Sequence, residues 1–352
     1  MPKLRPPQRR PITLTDIARG CGVSRATVSL VLRESPLVRD ETRAKVKAEL
    51  RRQNYIYNRA AANLRRQTSS TIALVLNDLA NPFFAEFASG VDDHLTEAGY
   101  VTLLGQSNEL LERERRLTQS LIEHAPAALI ISPVEAPEEQ ALLEQLSSQL
   151  PMLLFNREPA EVTDRRWDLL QFDNHRGAYL ATRHLLEQGH RQLAFFGGLR
   201  HQRPHRERLA GFSQALQEAG LAFDNRLYIE CQPRRTLAAE HACRLFADDL
   251  QPTGAVCYND VVALGLMAGL KALGRQPGVD FALTGFDDIS EAAICSPALS
   301  TVQTRPRECG RQAAIMVLER LAQPAQASAR YVSPVEFKIR DSSPPPMKSL
   351  TS

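Results

Sequence analysis

The sequence predicts a small all-α N-terminal domain followed by a larger, two-lobed α/β domain with parallel sheets. Three observations lead to this fold class. Residues 13–66 show apolar residues at helical spacing and no run typical of a strand. Beyond Thr71, short β-rich apolar runs alternate with amphipathic helical stretches, which is typical of parallel sheets covered on both faces. At 352 residues, the chain is long enough for two or three domains.

Charge is divided unevenly along the chain. Residues 1–70 carry 16 basic and 5 acidic side chains, whereas the rest carries 27 basic and 35 acidic ones. A basic head on an acidic body indicates a nucleic-acid-binding module joined to another domain. A solvated basic tail would give the same asymmetry, so charge alone leaves both interpretations open.

The two ends of the chain predict disordered tails at 1–12, which is rich in proline and arginine, and at 339–352. No apolar stretch follows the basic N-terminus and no long apolar run occurs, so we expect a cytoplasmic protein without export signal or membrane span. The six cysteines form no Cys-x-x-Cys pair and are expected to be reduced. We therefore expect no metal and no cofactor.

Three short helices are predicted within residues 13–56. Their apolar or small positions are Ile17, Ala18, Cys21, Ala26, Val28, Val31, Leu32, Ala44, Val46 and Leu50. Ser24 lies where the N-cap of the second helix belongs, and Asp40 and Glu41 put negative charge at the start of the third.

The first two helices have the spacing of a helix-turn-helix. Ala18 is the small residue of the first helix, Gly22 lies at the turn, and Val23 and Val28 can pack the helices together. Hydroxyl, arginine and leucine side chains on the second helix can contact phosphates, base edges and thymine methyl groups. They are Ser24, Arg25, Ala26, Thr27, Ser29 and Leu30. A helical hairpin that does not bind DNA is the alternative.

Residues 16–66 resemble the DNA-binding headpiece of the LacI/GalR family of bacterial regulators. The motifs that carry the resemblance are TLTDIA, GVSRATVS, VRDETRAKV and NYIYNRAAANLR. The resemblance continues through the α/β part to about residue 338. It implies a headpiece at 13–56, a hinge helix and linker at 57–70, and a two-lobed effector-binding and dimerisation domain at 71–338, similar to periplasmic sugar-binding proteins.

The resemblance also assigns DNA-binding residues. It implies that Arg25, Ala26 and Leu30 discriminate between operators. Neighbouring contacts are then expected from Leu14, Thr15, Ser24, Ser29 and Arg33. Leu30 departs from the lactose repressor, which has arginine at the matching position, so Arg25 becomes the best candidate for a bidentate contact with guanine.

The hinge segment of the family is expected at Tyr57–Arg65. It implies a helix that starts at Asn58, forms when two subunits meet on DNA, and wedges Leu64 into the minor groove. An apolar wedge of this kind unstacks a base step and kinks the duplex. A plain linker helix is the alternative.

Nine strands are predicted after the linker. They lie within 71–78, 100–106, 127–133, 152–156, 168–173, 192–198, 226–231, 254–259 and 281–286. So many units suggest two lobes, with ligand chemistry at the carboxyl ends of the strands.

The resemblance implies an effector site between the lobes. The matching residues are Phe83, Phe84, Asp173, Arg208, Asn259 and Asp287. Carboxylate, amide and guanidinium groups beside an aromatic ring suit a polyol such as a sugar. Phe83 and Phe84 are equally explained as core residues, and for Asp260, next to Asn259, capping of the following helix is the preferred interpretation.

An enzymatic body finds little support in the sequence. It has no glycine-rich phosphate loop, no His-Glu-x-x-His spacing and no Gly-x-Ser-x-Gly elbow. The basic stretch HQRPHRER (201–208) raises the hypothesis of an anionic effector, such as a sugar acid or sugar phosphate.

These observations predict a dimeric, allosteric transcription regulator, most simply a repressor, that binds a palindromic operator in double-stranded DNA and a small carbohydrate-derived effector. One headpiece reads one half-site, so two subunits are expected. The apolar stripe of 308–323 predicts either a subunit interface or core packing, and no leucine heptad favours a tetramer. The rival hypotheses are a solute-binding protein with an incidental headpiece and a sugar-modifying enzyme.

Overall fold

The computed structural model describes residues 12–55, 69–136, 139–159, 166–247 and 251–346. The chain divides into two compact units, one up to Thr68 and one from Ser69 onwards. We call the first unit the headpiece and the second the body.

The headpiece contains the three predicted helices, α1 (Leu14–Cys21), α2 (Arg25–Leu32) and α3 (Asp40–Arg52). Helix α1 begins with a capping box, in which Thr13 and Asp16 each accept a hydrogen bond from the other residue's backbone N–H. The helices pack around a small apolar core in which Ile17, Val28 and Val46 are fully buried. With so little buried surface, the helix caps contribute a considerable part of the stability of this unit.

The body alternates strands and helices along most of its length. In chain order the elements are β1 (Thr71–Leu76), α4 (Pro82–Glu97), β2 (Val101–Gln106), α5 (Leu111–Glu123), β3 (Ala128–Ile131), α6 (Glu139–Ser147), β4 (Met152–Phe155), β5 (Asp168–Phe172), α7 (Asn174–Glu187), β6 (Leu193–Phe196), α8 (Arg203–Glu218), β7 (Tyr228–Ile229), α9 (Arg235–His241), β8 (Gly254–Cys257), α10 (Asp260–Ala272), β9 (Ala282–Asp287), α11 (Ser290–Ile294), β10 (Ser300–Gln303), α12 (Pro306–Ala322), β11 (Arg330–Ser333) and β12 (Glu336–Lys338).

These elements form two lobes, each with its own six-stranded sheet. The sheet of the first lobe has the order β11-β5-β4-β3-β1-β2, and that of the second has the order β12-β10-β9-β8-β6-β7. All neighbouring strands are parallel except β10 and β12. The predicted fold class, a helical headpiece followed by a two-lobed α/β body, is confirmed.

The chain crosses between the lobes three times, after β5, after β10 and after β11. Each lobe is therefore completed by segments that come late in the sequence. The strands β10, β11 and β12 were not predicted. Strand β11 is an edge strand whose first three residues are exposed, so its sequence lacks the continuous apolar run that marks the central strands.

The apolar stripe of 308–323 lies on α12 and packs inside the first lobe, as the core-packing alternative requires. Cys309, Ala313 and Val317 are buried in one core cluster together with Phe87 and Val91 of α4. The two helices approach closely, because a Cβ atom on Gly310 would clash with the carbonyl oxygen of Phe87. Small residues at this crossing therefore fix the distance between α4 and α12.

The predicted disordered tail at 339–352 is wrong for the residues up to 346. Ser342 and Ser343 are buried, and the main chain of Ser342 bonds to Ala298 and Leu283. Ser343 also hydrogen-bonds His184, at 2.8 Å. The segment is held because its polar groups satisfy backbone groups of the second lobe, a pattern that the proline-rich composition conceals.

No helix in the described ranges has the length and apolar character needed to cross a membrane.

Replacement of Ser342 by alanine tests the attachment of this segment. The Ser342 hydroxyl accepts from the Ser300 N–H at 2.8 Å and donates to the Leu283 carbonyl at 2.7 Å. The substitution removes one hydrogen bond from each of these two buried backbone groups, so we expect Ser342→Ala to lower the free energy of unfolding of the body by about 1–3 kcal/mol. Chemical denaturation measures this change. Asp341→Ala, at the exposed neighbouring position, is the control, and equal effects of the two variants would contradict the assignment.

Candidate DNA-binding surface and ligand cavity

The turn between α1 and α2 is built by two residues with different tasks. Gly22 ends α1 in the left-handed conformation, with φ of 64°, which suits a residue without a side chain. Ser24 then caps α2 by accepting a hydrogen bond from the backbone N–H of Thr27 at 3.0 Å. The predicted N-cap is thus confirmed, and it fixes the point at which α2 begins.

The predicted DNA-binding residues differ in how far they are exposed. Thr15, Ser24, Arg25, Ala26 and Arg33 are exposed, and Thr27 and Ser29 are half-buried. Leu14 and Leu30 pack against the headpiece core and present only part of their side chains to solvent. Leu30 therefore combines a packing role with any apolar contact it makes to DNA.

Arg25 lies in the first turn of α2 with its charge available. Within the described part of the headpiece it has no ion-pair partner within 4.0 Å, whereas Arg43 pairs with Asp40 and Arg52 pairs with Glu49. A guanidinium without an internal partner at an exposed helix start can reach a phosphate or the edge of a guanine. The predicted hinge residues Asn58 and Leu64 lie outside the described residues.

The two lobes enclose a cavity of about 340 Å³ at the carboxyl ends of their strands. Its lining residues follow β1, β2, β3 and β4 in the first lobe and β6, β7, β8 and β9 in the second. They are Asp78, Asn81, Phe83, Phe84, Asn108, Glu109, Leu110, Val134, Asn156, Arg157, Leu199, His201, Gln202, Arg208, Gln232, Pro233, Arg234, Tyr258, Asn259 and Asp287. The volume suits a small molecule. Five of the six predicted effector residues, all but Asp173, line it.

Arg208 is held rigidly at the cavity wall. Its Nε donates to Asn174 Oδ1 at 2.9 Å, and its Nη1 donates to the Tyr258 carbonyl at 2.5 Å. The guanidinium carbon lies 3.6 Å from the centre of the Phe286 ring. Its Nη2 is 3.8 Å from Asp287 Oδ1 and makes no closer bond to the described residues, so this nitrogen remains as a donor for a ligand.

Asp287 lies beside Arg208 in an unusual backbone conformation, with φ of 116°. Its side chain is buried, and burial raises its pKa to about 7, although the charge of Arg208 opposes the rise. Near neutral pH the carboxyl group is thus poised between donor and acceptor. Strained backbone at a cavity wall is typical of a functional position.

Phe83 and Phe84 fit both interpretations that the sequence left open, contact with a ligand and packing in the core. Both line the cavity, yet both are nearly fully buried. Phe83 contacts the rings of Phe155 and Phe172, with centroid distances of 5.9 and 5.5 Å. They are core residues of the first lobe whose outer surfaces form the apolar part of the cavity.

Two aspartates near the cavity have partners that the sequence did not predict. Asp173 does not line the cavity, and its carboxylate caps α7 by accepting from the Arg176 N–H at 3.0 Å, so its contact with an effector stays a prediction. Asp260 is not the cap of α10, since Asn259 Oδ1 takes that position and accepts from the Val262 N–H at 3.0 Å. Asp260 is instead buried and bonds to Thr301 and to the Ile289 N–H. Asn259 therefore both caps a helix and lines the cavity.

The sequence analysis missed several polar residues of the cavity. Gln202 Oε1, Asn156 Oδ1 and Arg157 Nε are buried and lack hydrogen-bond partners among the described residues. Asn156 and Arg157 directly follow the apolar run MLLF. Polar residues at the carboxyl end of a parallel strand are typical of a ligand site, so the sequence contained the pattern that predicts them. Buried polar atoms at a cavity wall are the groups that a ligand can satisfy.

Carboxylates match the arginines of the basic stretch 201–208. Arg203 pairs with Glu158 and Glu207, and Arg206 pairs with Glu135. Across the cavity, Arg157 makes two bonds of 2.8 Å to Glu109. The stretch is basic in sequence but largely neutralised in the fold.

Comparison with known proteins agrees with this architecture. A model of bacterial regulatory proteins of the lacI family matches residues 13–58, and a periplasmic binding protein-like domain matches residues 182–343. The HTH-type transcriptional repressor PurR of Photobacterium profundum is 31% identical over 310 residues, covering 88% of this chain and 92% of the relative.

Two solved structures are also similar. The lac repressor dimer bound to operator and the anti-inducer ONPF has a TM-score of 0.83 at 23% identity, covering 95% of this chain and all of the other, and shares the fold. The transcriptional regulator CelR in complex with cellobiose has a TM-score of 0.71 at 25% identity, covering 94% and 99%. From the headpiece, the two lobes and these matches together, the chain belongs to the lacI family of bacterial regulatory proteins and is a helix-turn-helix transcriptional regulator.

Proposed function

We propose that this protein is a repressor that binds a palindromic operator as a homodimer and senses a small molecule in the inter-lobe cavity. The single observation that carries this proposal is the combination of an exposed Arg25 on α2, without an ion-pair partner in the described headpiece, with a polar cavity between two lobes. A helix-turn-helix reads one half-site, so a dimer matches a two-fold symmetric operator. A similar relative is a transcriptional repressor, which favours repression over activation.

The exposed residues of α2 would lie in the major groove. Arg25 is proposed to read guanine, Ser24 and Thr15 to contact phosphates, and Ala26 and Leu30 to supply apolar contacts. Leu64, in the hinge, is proposed as the minor-groove wedge, as the family resemblance implies. In these assignments, α2 recognises the base sequence and the hinge deforms the DNA.

The ligand is proposed to be an uncharged polyol such as a sugar. Arg208, Asp287 and Asn259 offer a donor, a titratable carboxyl group and an amide beside the rings of Phe83 and Phe84. This set suits vicinal hydroxyls and C–H faces. Arg203 and Arg206 of the 201–208 stretch are matched by carboxylates, which argues against the hypothesis of an anionic effector. A structurally similar regulator binds cellobiose, which supports a carbohydrate.

Ligand binding is proposed to change the angle between the lobes and thereby the spacing of the two hinge segments in the dimer. Operator and ligand affinities are then coupled reciprocally: a ligand that weakens DNA binding binds more tightly to the DNA-free protein. We further propose that the ligand is bound without chemical change, in line with the named role of the relatives, and that the protein acts in the cytoplasm.

The operator contact of Arg25 is testable with DNA that the wild-type protein selects from a random pool. We expect Arg25→Ala to lose about 1–3 kcal/mol of binding free energy on the selected palindrome, because a bidentate guanine contact disappears. Fluorescence anisotropy measures the affinity on selected and scrambled duplexes. Arg51→Ala, near the end of α3, is the control and should weaken both similarly. Failure of the selection to enrich any palindrome would contradict the repressor proposal itself.

The ligand class is testable by a thermal-shift panel of sugars, sugar acids and sugar phosphates. Neutral sugars are expected to give the largest rise in Tm, since a ligand stabilises the folded state by mass action. Arg208→Gln should abolish the rise, and Arg176→Gln, on an exposed position of α7, should retain it. Tighter binding of the acid or phosphate form than of its neutral parent would refute the proposed uncharged ligand.

The protonation state of Asp287 gives a third test. Its pKa is raised from 3.8 to about 7, so between those values the folded protein holds a proton that the unfolded chain releases. This contribution to stability is present below about pH 4 and is lost as the pH rises to about 7. We therefore expect the stability of Asp287→Asn relative to the wild type to rise between about pH 4 and pH 7, measured by urea denaturation. If the free energy of unfolding of the variant and of the wild type changed in parallel with pH, Asp287 would be ionised throughout this range.

A further inference from the structure

A group of charged side chains joins the two lobes beside the ligand cavity. Glu135 and Glu158 follow β3 and β4 of the first lobe, and Arg203 and Arg206 lie in the first turn of α8 in the second lobe. We call these four residues the latch. Glu135, Glu158 and Arg206 line a second cavity, which shares Val134 and His201 with the ligand cavity, so the latch lies next to the ligand cavity.

The bonds of the latch are short and directional. The backbone N–H of Arg203 donates to both carboxylate oxygens of Glu135, at 2.7 and 2.8 Å, and Arg203 Nη1 donates to Glu158 Oε1 at 2.9 Å. Arg206 Nη2 lies 3.6 Å from Glu135 Oε2. All of these contacts cross from one lobe to the other. They form only when the lobes are close together.

Glu135 caps the N-terminus of α8, a role that the residue directly before a helix normally has. Helix α8 begins after Gln202, which makes no side-chain capping bond, whereas α4, α7 and α10 are capped by Asn81, Asp173 and Asn259. A free helix N-terminus attracts a carboxylate through its unpaired N–H groups and its dipole. The missing cap is supplied from the opposite lobe.

Burial makes the loss of either partner in these interactions costly, because the remaining charge would be buried without a counterion. The Glu158 and Glu135 side chains are 4% and 14% exposed, and the Arg203 side chain is 24% exposed. Separation of the lobes would leave the start of α8 uncapped and would return these charges to water. The latch therefore acts on the equilibrium between open and closed lobes.

We propose that Glu135 is an inter-lobe positioning residue, which holds α8, and with it Arg208 and Gln202, against the first lobe in the closed arrangement. It touches the ligand-binding helix rather than the ligand. The latch keeps the two halves of the cavity facing each other before any ligand binds, so its strength sets how readily the ligand enters and leaves. Only the effect on ligand entry and exit rests on the proposed ligand site. The effect on lobe closure does not, because closure is measurable without ligand or DNA.

The test is an inter-lobe distance measurement on the full chain, diluted with unlabelled protein so that distances within one subunit dominate. Spin labels on Cys243, the one exposed cysteine in the described ranges, and on Gln145→Cys report on the second and first lobes. We expect Glu135→Gln to raise the open fraction by about 10- to 100-fold, because hydrogen bonds to a charged group are lost. Arg203→Gln should shift the distances in the same direction by less.

Glu230→Gln is the matched control. Glu230 also accepts from a backbone N–H and an arginine side chain, those of Arg200, but entirely within the second lobe. The inter-lobe distance distribution of Glu230→Gln should equal that of the wild type. Folded Glu135→Gln protein with an unchanged distribution overturns the proposal, as does an equal shift in Glu230→Gln. If Glu135→Gln does not fold, Arg203→Gln decides alone, and since neither DNA nor ligand is present, these outcomes are independent of the proposed repressor function.

Discussion

The direction of the strands is the constraint on which the ligand cavity depends. In both lobes the strands that border the cavity are parallel, and their carboxyl ends point into the cleft. Parallel strands return by helices, so every turn that leaves a strand at this side is free to carry a polar residue. Asp78, Asn108, Asn156, Tyr258 and Asp287 all occupy such positions. The site is thus assembled from many short turns rather than from one motif.

Charge matching decides what this cavity can hold. Arg157 and Arg208 approach from opposite lobes, and each is held near a carboxylate, Glu109 and Asp287 respectively. A buried arginine without such a partner would be costly, and it would also demand an anion from the ligand. Glu109 compensates the charge of Arg157, whereas Asp287 compensates that of Arg208 only where its carboxyl group is ionised, above its pKa of about 7. The proposed uncharged ligand then needs only to satisfy hydrogen bonds. Recognition then depends on the geometry of donors and acceptors, which suits hydroxyl-rich molecules.

The sequence predicted those parts of the fold that follow from local chemistry. The three headpiece helices were predictable because the caps Ser24 and Gly22 and the spacing of Ile17 and Val28 are local features. The central strands were predictable because burial on both faces leaves continuous apolar runs. Strand β11 was not predictable, since an exposed edge strand such as RYVS does not need a continuous apolar run.

The hydrogen-bond partners of two aspartates near the cavity could not be predicted for a related reason. Asp173 and Asp260 both follow or border a strand end, but nearby backbone N–H groups and Thr301 take up their carboxylates. Which partner an aspartate finds depends on distances between segments far apart in the sequence. The same holds for Ser342, whose burial needs Leu283 and Ser300 already in place. Local patterns carry no information about such partners.

The threefold crossing of the chain has a consequence for synthesis on the ribosome. Strand β11 joins the first sheet and β12 joins the second, so both sheets lack an edge until residues 330–338 have been translated. Residues 340–344, which bond to Ser300 and to the histidines at 184 and 190, come later still. The headpiece emerges first and can fold as a separate unit. A nascent chain therefore acquires its headpiece well before both lobes of the body are complete, because these need residues 330–344.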